Sequence, residues 1–518
     1  MKEKQLTYTL PEQMDVTDLL AGLPEKYSLQ AGSVSLDMIN YLDTFDWRLY
    51  EQGLICQCQG NSVYVLTDFA GGHRTQADGP DLIKLYAHDF AGGELGEKLS
   101  AAAGIRALLP QAEIARKSQS FQIVNRDHKI ILSGFLELSQ LFDPDEEPTF
   151  LGGSLRMQGV RGYDKIVAKV TELLQARGLE PGEPEERILR LALAARGRKP
   201  QDYGSQFSIV LDPSETIVQA AQKINLQLLE TMERNIPGIL EDIDSEFLHD
   251  FRVALRRTRS LLGSMKKRVP AADVDLYQRG LQEIGAVTGP VRDLDVYLLE
   301  KDVYRSMLPD GLQEGLSAFF NELAEQRVKE MRRLNKALQS RRFKQFLAKW
   351  RGYVEGSLLT AGLATARESC REVAVKAIRK RLQSILKDGS LIDQQSPDDA
   401  LHGLRIQAKK LRYLLEFYRS LFPETEMDSL LKSLKKLQNN LGSFNDLSVQ
   451  QEMLGQYLNG LVGGEQTKTI QVAAALGGLI TRLHEKQEGV RLEFEQTFKQ
   501  FSSAKNRKIF DLLFGKFQ

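Results

Sequence analysis

The chain has 518 residues, 42% of them hydrophobic and 27% charged, with 69 Lys and Arg against 69 Asp and Glu. This length exceeds one hydrophobic core, so we expect two to four domains, and the composition excludes a largely disordered chain. The zero net charge excludes a generally basic nucleic-acid binder, although residues 1–200 carry 22 basic against 28 acidic side chains and residues 201–518 carry 47 against 41.

The ends and the cysteines of the chain indicate a cellular compartment. The first four residues are MKEK, with no apolar signal-peptide core after them, and no apolar run approaches the ~20 residues that span a bilayer. We therefore expect a cytoplasmic protein with no membrane partner. Cys56, Cys58 and Cys370 are too few and too unevenly spaced for a disulfide framework or a four-ligand zinc site. Cys56 and Cys58 alternate with glutamines, which predicts that both pack from one face of a strand.

The first part of the chain has a β-rich texture. Residues 1–175 contain short runs such as SVYVLT at 62–67 and FQIV at 121–124, separated by turn-forming glycine and proline. A helix is predicted around 162–177. These features predict an α+β domain with a mainly antiparallel sheet over residues 1–200, ending in a linker near RGRKP at 196–200.

From about residue 211 onward the texture is helical. Apolar residues recur at three- and four-residue spacing almost to the end of the chain, and Asp212, followed by proline, is a good candidate helix cap. The predicted helices are 212–240, 246–268, 272–287, 291–307, 311–336, 341–357, 365–387, 398–420, 426–441, 444–461 and 468–502.

A cationic pattern, H-x-x-R-x-x-x-[RK]-[RK]-x-R, occurs twice in this region, at 249–259 and at 402–412. All its matches are 153 residues apart, and the same offset relates positions outside it. A second echo, FKQF at 343–346 and 498–501, has an offset of 155, which suggests a loop that differs by two residues. We interpret the region as a tandem of two related helical bundles.

On a helical wheel the cations of each copy form a stripe about 80° wide that is separate from the buried face. The stripe is ~15 Å long, and forked guanidinium groups along it suit an extended chain of phosphates. A single basic face is usually only solvated, and a histidine on a helix is often structural, but a second copy with the same spacing favours a built site. No carboxylate or second histidine stands at helical spacing for a metal. The candidate polyanion-binding residues are His249, Arg252, Arg256, Arg257, Arg259, His402, Arg405, Lys409, Lys410 and Arg412.

Further basic clusters rank below the two stripes. They are candidates for extending a polyanion-binding surface, but each is also explained by ordinary charge on a solvated helix. These residues are Arg279, Lys432, Lys435, Lys436, Arg333, Lys336, Lys376, Arg379 and Lys380.

The duplicated helices, each followed by a segment ending in Asp-Leu (GPVRDL at 289–294 and LGSFNDL at 441–447), resemble the CHAD domain, the conserved histidine α-helical domain. The resemblance covers residues 205–518, with repeat one at about 211–357 and repeat two at about 365–510. It implies two four-helix bundles related by pseudo-twofold symmetry. It also implies a basic surface that binds inorganic polyphosphate through the stripe residues, and targeting to polyphosphate granules.

Residues 41–54, YLDTFDWRLYEQGL, resemble the Y-x-D-T-x-D-x-x-L-x-x-x-G-L segment of the CYTH domain, a triphosphate tunnel metalloenzyme fold. That family holds metal with inward acids and triphosphate with inward basic residues. This chain departs from the pattern in three places. Glu3, Gln5 and Thr7 stand for E-x-E-x-K, so one carboxylate and the lysine are missing. Gln57 and Gln59 replace basic residues, and the stretch LRMQ at 155–158 stands where acids are expected on a strand. We therefore expect a degenerate CYTH-like domain, without catalytic residues, metal or cofactor, that acts as a binding or interaction module with a protein partner possible. The alternative is an unrelated α+β domain.

The sequence thus predicts a non-enzymatic protein that binds inorganic polyphosphate. One alternative is a triphosphatase or related metal-dependent phosphohydrolase in the N-terminal domain. A second is nucleic-acid binding through the same cations, which we do not expect because the stripes lack interleaved aromatic residues for base stacking.

Overall fold

The computed structural model of the protein describes residues 5–515, apart from 61, 70–73, 81–83, 91, 142–147, 183, 361–363 and 462–465. The chain divides into two compact units, Met1–Ser205 and Gln206–Gln518.

The N-terminal unit is a curled antiparallel sheet with short helices. Its strand order is β10-β1-β9-β8-β7-β2-β3-β4-β5, with β6 paired to β7. The strands are β1 Gln5–Leu10, β2 Tyr27–Asp43, β3 Leu54–Gln59, β4 Val63–Asp68, β5 Arg74–Asp78, β6 Leu85–Tyr86, β7 Ala107–Asn125, β8 Ile130–Leu141, β9 Thr149–Gly159 and β10 Glu180–Pro181. The helices are α1 Val16–Leu19, α2 Arg48–Glu51, α3 Glu94–Ala103, α4 Asp164–Ala176 and α5 Glu185–Ala194. The predicted α+β class and the helix near 162–177 are confirmed, and the sheet is compatible with a CYTH-like fold.

The sheet separates an apolar face from a polar one. The predicted packing of Cys56 and Cys58 is confirmed, since both are fully buried in a core with α3. Gln57, between them, points to the opposite face and pairs with Tyr41 of β2. On that face the register also aligns Arg156 of β9 with Thr7 of β1. The polar positions singled out in the sequence thus share one side of the sheet.

The segment 41–54, which resembles the CYTH pattern, contains a turn that is held by hydrogen bonds to one carboxylate. The carboxylate of Asp43 accepts hydrogen bonds from the backbone N–H groups of Thr44, Leu49 and Tyr50 at 2.7–2.9 Å. These bonds fix the turn into α2, so the match at Asp43 reflects folding rather than chemistry.

The C-terminal unit is all-helical, as the sequence predicted. Its helices are α6 Ile217–Leu240, α7 Ser245–Ser264, α8 Ala271–Leu299, α9 Lys301–Ser306, α10 Asp310–Gln339, α11 Arg341–Gly352, α12 Leu358–Thr360, α13 Cys370–Gly389, α14 Asp398–Phe417, α15 Glu424–Asn459, α16 Gln466–Phe501 and α17 Ala504–Phe514. A π-helical turn, Tyr353–Ser357, separates α11 from α12.

Several predicted helix boundaries are wrong. The predicted helices 272–287 and 291–307 are largely one helix, α8, which continues through Pro290. Pro290 and Ala286, whose carbonyl loses its partner, both lie on the exposed side, where water can satisfy that carbonyl. Likewise 426–441 and 444–461 form the single helix α15. At the start of α6 the cap is Thr216, in a capping box with Gln219, and not Asp212.

The repeat is visible in the helix positions. Helices α7 and α14 begin and end 153 residues apart, and α8 and α15 also begin 153 residues apart. The FKQF echo is not part of this correspondence, because its first copy lies in α11 and its second ends α16. One core cluster, including Phe319 of α10 and Leu476 of α16, joins the two repeats.

Candidate functional site

The two cationic stripes lie on the equivalent helices α7 and α14. The residues assigned to the buried face of each wheel are buried: Phe251, Leu255, Thr258 and Leu262 on α7, and Leu404, Ala408, Leu411 and Leu415 on α14. Each helix therefore presents its basic side away from its own core.

An ion pair between the repeats joins α7 to α14. Arg257 of α7 donates to Glu416 of α14 at 2.6 Å, and the other oxygen of Glu416 accepts from Arg412 at 2.6 Å. The Arg257 guanidinium also lies over the rings of Phe207 and Tyr413, 5.4 and 5.9 Å from their centroids. With 11% of its side chain exposed, Arg257 holds the helices together and has little surface to offer a ligand. We call the surface where the two stripes meet the seam.

Cations from both repeats face each other across the seam. Burial, together with the nearby charges of Arg405 and of Arg256 from the other repeat, lowers the pKa of Lys409 to about 8, while Asp446 opposes them. Arg256 itself is exposed. The cations of α7 and α14 therefore act together as one positively charged surface.

The equivalent arginines Arg252 and Arg405 are held in different ways. Arg252 donates to the carbonyl of Gly285 at 3.1 Å and to the hydroxyl of Thr288 at 2.8 Å, both on α8 and both neutral. Burial lowers the pKa of Arg252, the nearby carboxylate of Asp293 on α8 opposes that shift, and the charges of Arg256 and Arg292 add to it. Arg405 donates to Asp446 of α15 at 3.1 Å. Each arginine thus has an aspartate of the following helix near it, and Arg405 bonds to its aspartate directly.

A histidine of the second repeat is also held in place. The Nδ1 atom of His402 lies 2.6 Å from Oδ1 of Asn445 on α15. The Asn445 amide nitrogen contacts Asp446 at 3.4 Å. His249, in the first repeat, is half-buried on the equivalent face of α7.

Within the described part of the chain, five of the candidate cations make no ion pair: Arg252, Arg256, Arg259, Lys409 and Lys410. Asp293 acts on Arg252 through its charge without pairing with it, and the cations together leave the seam positively charged. Sequence reasoning missed Glu416 and Asn445. Asn445 and its neighbour Asp446 belong to the second repeated motif, so the offset of 153 could have indicated them; Glu416 left no such signal.

The helices that carry this site match a known domain family. The family model of the CHAD domain matches residues 223–455, which include α7, α8, α14 and most of α15. The chain contains a CHAD domain.

Proteins similar to this chain come from bacteria and from a plant. Two uncharacterized proteins of Mycobacterium tuberculosis, from strains CDC 1551 and H37Rv, are 27% identical over 326 residues, which is 58% of this chain. The chain spans 59% of the length of these relatives. The crystal structure of the CHAD domain from the plant Ricinus communis matches with a TM-score of 0.48 and 23% identity, over 57% of this chain and 96% of that one. PptA from Streptomyces chartreusis matches with a TM-score of 0.43 and 17% identity, over 55% of this chain and all of that one.

Of the lower-ranked basic residues, one adjoins the seam and others line separate clefts of the helical unit. Lys435 lies three residues before Gln438, which donates to the Ala408 carbonyl of α14 at 2.9 Å, so it adjoins the seam. Lys436 instead lines a cleft against α16, and Arg279 lines a groove of about 880 Å³ against α11. The remaining residues lie on α10, α13 and α15: Arg333, which pairs with Glu330, and Lys336, Lys376, Arg379, Lys380 and Lys432.

In the N-terminal unit an internal carboxylate occupies the polar face of the sheet. Glu185, at the start of α5, accepts hydrogen bonds from Arg116 at 2.9 Å, Arg156 at 3.2 Å and the hydroxyl of Tyr41 at 2.7 Å. Gln57 also donates to it. Burial alone would raise the pKa of Glu185, but the two guanidinium groups outweigh burial and lower it. Arg116, Arg156, Tyr41 and Gln57, which we call the Glu185 cradle, therefore form an anion site that the chain itself fills.

Two departures from the CYTH pattern bear on this face. Thr7 lies opposite Arg156 in the register, so no lysine stands there, while Glu3 lies outside the described residues.

Within the described residues, no three His, Cys, Asp or Glu side chains are grouped so that they could hold a metal ion. Also within them, no helix is both long and apolar enough to cross a membrane.

Proposed function

We propose that the CHAD domain of this protein binds inorganic polyphosphate along the seam between α7 and α14. The observation that carries the proposal is that the pair between Arg257 and Glu416 joins α7 to α14, which brings the cations of both repeats to one surface. Arg252, Arg256, Arg405 and Lys409 are the phosphate clamps. Arg257 and Arg412 act chiefly through Glu416, which keeps the two helices together.

The arrangement favours a long, flexible polyanion. Each stripe extends ~15 Å along its helix, so phosphates spaced along one chain can contact several cations in turn. Guanidinium groups grip phosphate oxygens in a forked geometry, and lysine adds a point charge. A nucleic acid would add bases that need stacking partners, and no aromatic residues are interleaved with the cations on the basic faces of the stripes. Phe251 is buried, and the rings of Phe207 and Tyr413 lie against Arg257.

We propose that the protein acts by binding and not by catalysis, and that it associates with polyphosphate granules in the cytoplasm. Support for a non-catalytic N-terminal unit comes from Glu185, which occupies the cradle where an anionic substrate would bind. A triphosphatase would need that carboxylate to leave. Release of phosphate from tripolyphosphate with magnesium or manganese, lost on substitution of Arg116 and Arg156, would contradict this part of the proposal.

The first test replaces Arg252, Arg256, Arg405 and Lys409 together by Ala and measures binding of long-chain polyphosphate by calorimetry. We expect binding to be lost while the helical circular dichroism is kept. The matched control removes the same charge from exposed lysines on α10, α16 and α17, namely Lys329, Lys486, Lys505 and Lys508. Equal affinities of the two folded variants would refute the seam as the site.

Salt and competition separate polyphosphate from other polyanions. Four phosphate contacts, at the slope of about −0.7 per contact found for single strands, would weaken binding about 50-fold between 50 and 200 mM salt. Single-stranded DNA at equal phosphate concentration should fail to displace polyphosphate. Efficient displacement would favour the nucleic-acid alternative instead.

A substitution that strengthens binding provides a second test. Glu416→Gln removes the carboxylate that neutralises both Arg257 and Arg412, so one net positive charge is added to the seam. We expect tighter polyphosphate binding with a steeper salt dependence, together with lower stability. Weaker binding by a folded Glu416→Gln protein would show that the charge added at this position does not act on the ligand.

A further inference from the structure

The contact between His402 and Asn445 fixes which ring nitrogen of His402 carries a hydrogen. Asn445 is 9% exposed and touches two groups, His402 at 2.6 Å and Asp446 at 3.4 Å. The carboxylate of Asp446, which also accepts from Arg405, only accepts hydrogen bonds, so the Asn445 amide nitrogen must face it. Oδ1 of Asn445 then faces His402, and because this oxygen also only accepts, Nδ1 of His402 must donate.

The other ring nitrogen, Nε2, is therefore the one that can contact a ligand bound at the seam. In a neutral imidazole with hydrogen on Nδ1, Nε2 carries a lone pair and cannot donate to a phosphate oxygen. In the imidazolium both nitrogens donate, so Nε2 can bond a phosphate while Nδ1 keeps its bond to Asn445. His402 is exposed, so a ligand can reach it. A bound polyanion therefore selects the charged ring.

We infer that binding of polyphosphate at the seam takes up a proton on His402, and that Asn445 is the positioning residue that imposes this. The inference rests on the proposed function. It makes affinity increase as the pH falls, by at most tenfold per pH unit for a single proton.

The other charged groups around His402 do not account for the proton uptake, which is therefore assigned to the imidazole ring. On α14 it is flanked by Asp398 and Asp399 one turn before and by Arg405 one turn after. Asp398 is paired with Arg491 of α16 at 2.7 Å, and Asp446 of α15 with Arg405 at 3.1 Å. Each of these two acids is thus paired with an arginine. Lys409, the remaining titrating group of the stripe, has a pKa of about 8 and must be controlled for.

The first repeat has a different residue at the position of Asn445. By the offset of 153 it is Arg292, which lies 3.8 Å from Glu246 and 3.4 Å from the carbonyl of Ser245. A guanidinium has no acceptor and cannot hold a histidine by Nδ1–H. The inference is therefore made for His402 and Asn445 of the second repeat.

The test measures protons directly. The full chain with Lys409→Arg, which removes the titrating lysine, binds long-chain polyphosphate in a calorimeter at pH 6.5. Two buffers of equal ionic strength and different ionisation enthalpy are used, and the difference in heat gives the protons exchanged. We expect uptake of a fraction of one proton per site, its loss with His402→Gln added, and its retention with His249→Gln added.

Asn445→Leu distinguishes positioning from simple presence of the ring. It frees the ring to put hydrogen on Nε2, so the neutral form can donate, and proton uptake should fall while binding at pH 8 is kept. Uptake that is unchanged by His402→Gln or by Asn445→Leu overturns the inference. Absence of any polyphosphate binding by the unsubstituted chain would instead overturn the proposed function.

Discussion

Replacing Lys409 by Arg should remove most of the alkaline pH dependence of polyphosphate binding. In the free protein, burial and the charges of Arg405 and Arg256 lower the pKa of Lys409 from 10.5 to about 8. A bound polyanion stabilises the ammonium and raises that pKa again. Binding therefore takes up a proton at Lys409 above pH 8, and affinity must fall as the pH rises. Arginine stays charged throughout this range.

The size of the effect follows from linkage. At pH 7 about nine-tenths of a lysine with a pKa near 8 is charged, and at pH 9.5 only about 3% is. If the bound anion restores the pKa to 10.5, its ordinary value, the affinity falls roughly 25-fold between pH 7 and pH 9.5. With arginine at this position, that factor disappears.

Binding of labelled long-chain polyphosphate, followed by fluorescence anisotropy at fixed ionic strength from pH 7 to 9.5, measures this difference. Titration of the ligand is common to all proteins and cancels in the comparison. Lys410→Arg, on an exposed neighbouring position, is the matched control and should keep the wild-type profile. Parallel profiles for wild type and Lys409→Arg would refute the placement of Lys409 among the seam cations.

Two further predictions concern stability. Glu185→Gln should lower the free energy of unfolding of the N-terminal unit by about 3–5 kcal/mol, because two buried guanidinium groups lose their shared carboxylate. Chemical unfolding followed by Trp47 fluorescence, with Trp350 replaced by Phe, measures this loss. A change under about 1 kcal/mol would contradict the prediction. Gly315→Ala should destabilise the CHAD domain by about 1–3 kcal/mol, because the new Cβ would lie 2.4 Å from the backbone oxygen of Gln471 on α16. Gly311→Ala, in open space on the same helix, is the matched control and should be neutral or stabilising. Thermal melts of the two variants measure this difference, and equal melting temperatures would contradict the packing argument.

The repeat and the direction of each stripe could be predicted from the sequence because both are local patterns. A period of 3.6 residues separates Arg252 and Arg256 from Phe251 and Leu255 on any helix. The β-rich texture before residue 175 likewise reflects alternation along single strands. Helix ends were less predictable: Pro290 reads as a break, and packing of its buried neighbours Val291 and Leu294 carries α8 past it.

Charge compensation could not be predicted in the same way. Arg257 and Arg256 are adjacent and look alike in the motif, yet one is paired with Glu416 and the other is exposed. Glu185 gives no sign in the sequence that it fills a cradle formed by Arg116 and Arg156. These partners are far apart along the chain, and nothing in the local pattern encodes their meeting.

The sequence by itself determined that the protein has two copies of a basic helix in a helical half, and that the sheet before them lacks the charged positions of the enzyme it resembles. Only the tertiary structure decided that the copies form one seam and which of its cations are already neutralised. The physical reason is distance: Arg257 and Glu416 are 159 residues apart, and their separation of 2.6 Å depends on how two helical repeats pack. Periodicity along a helix specifies which face is basic, but packing between helices specifies what that face meets.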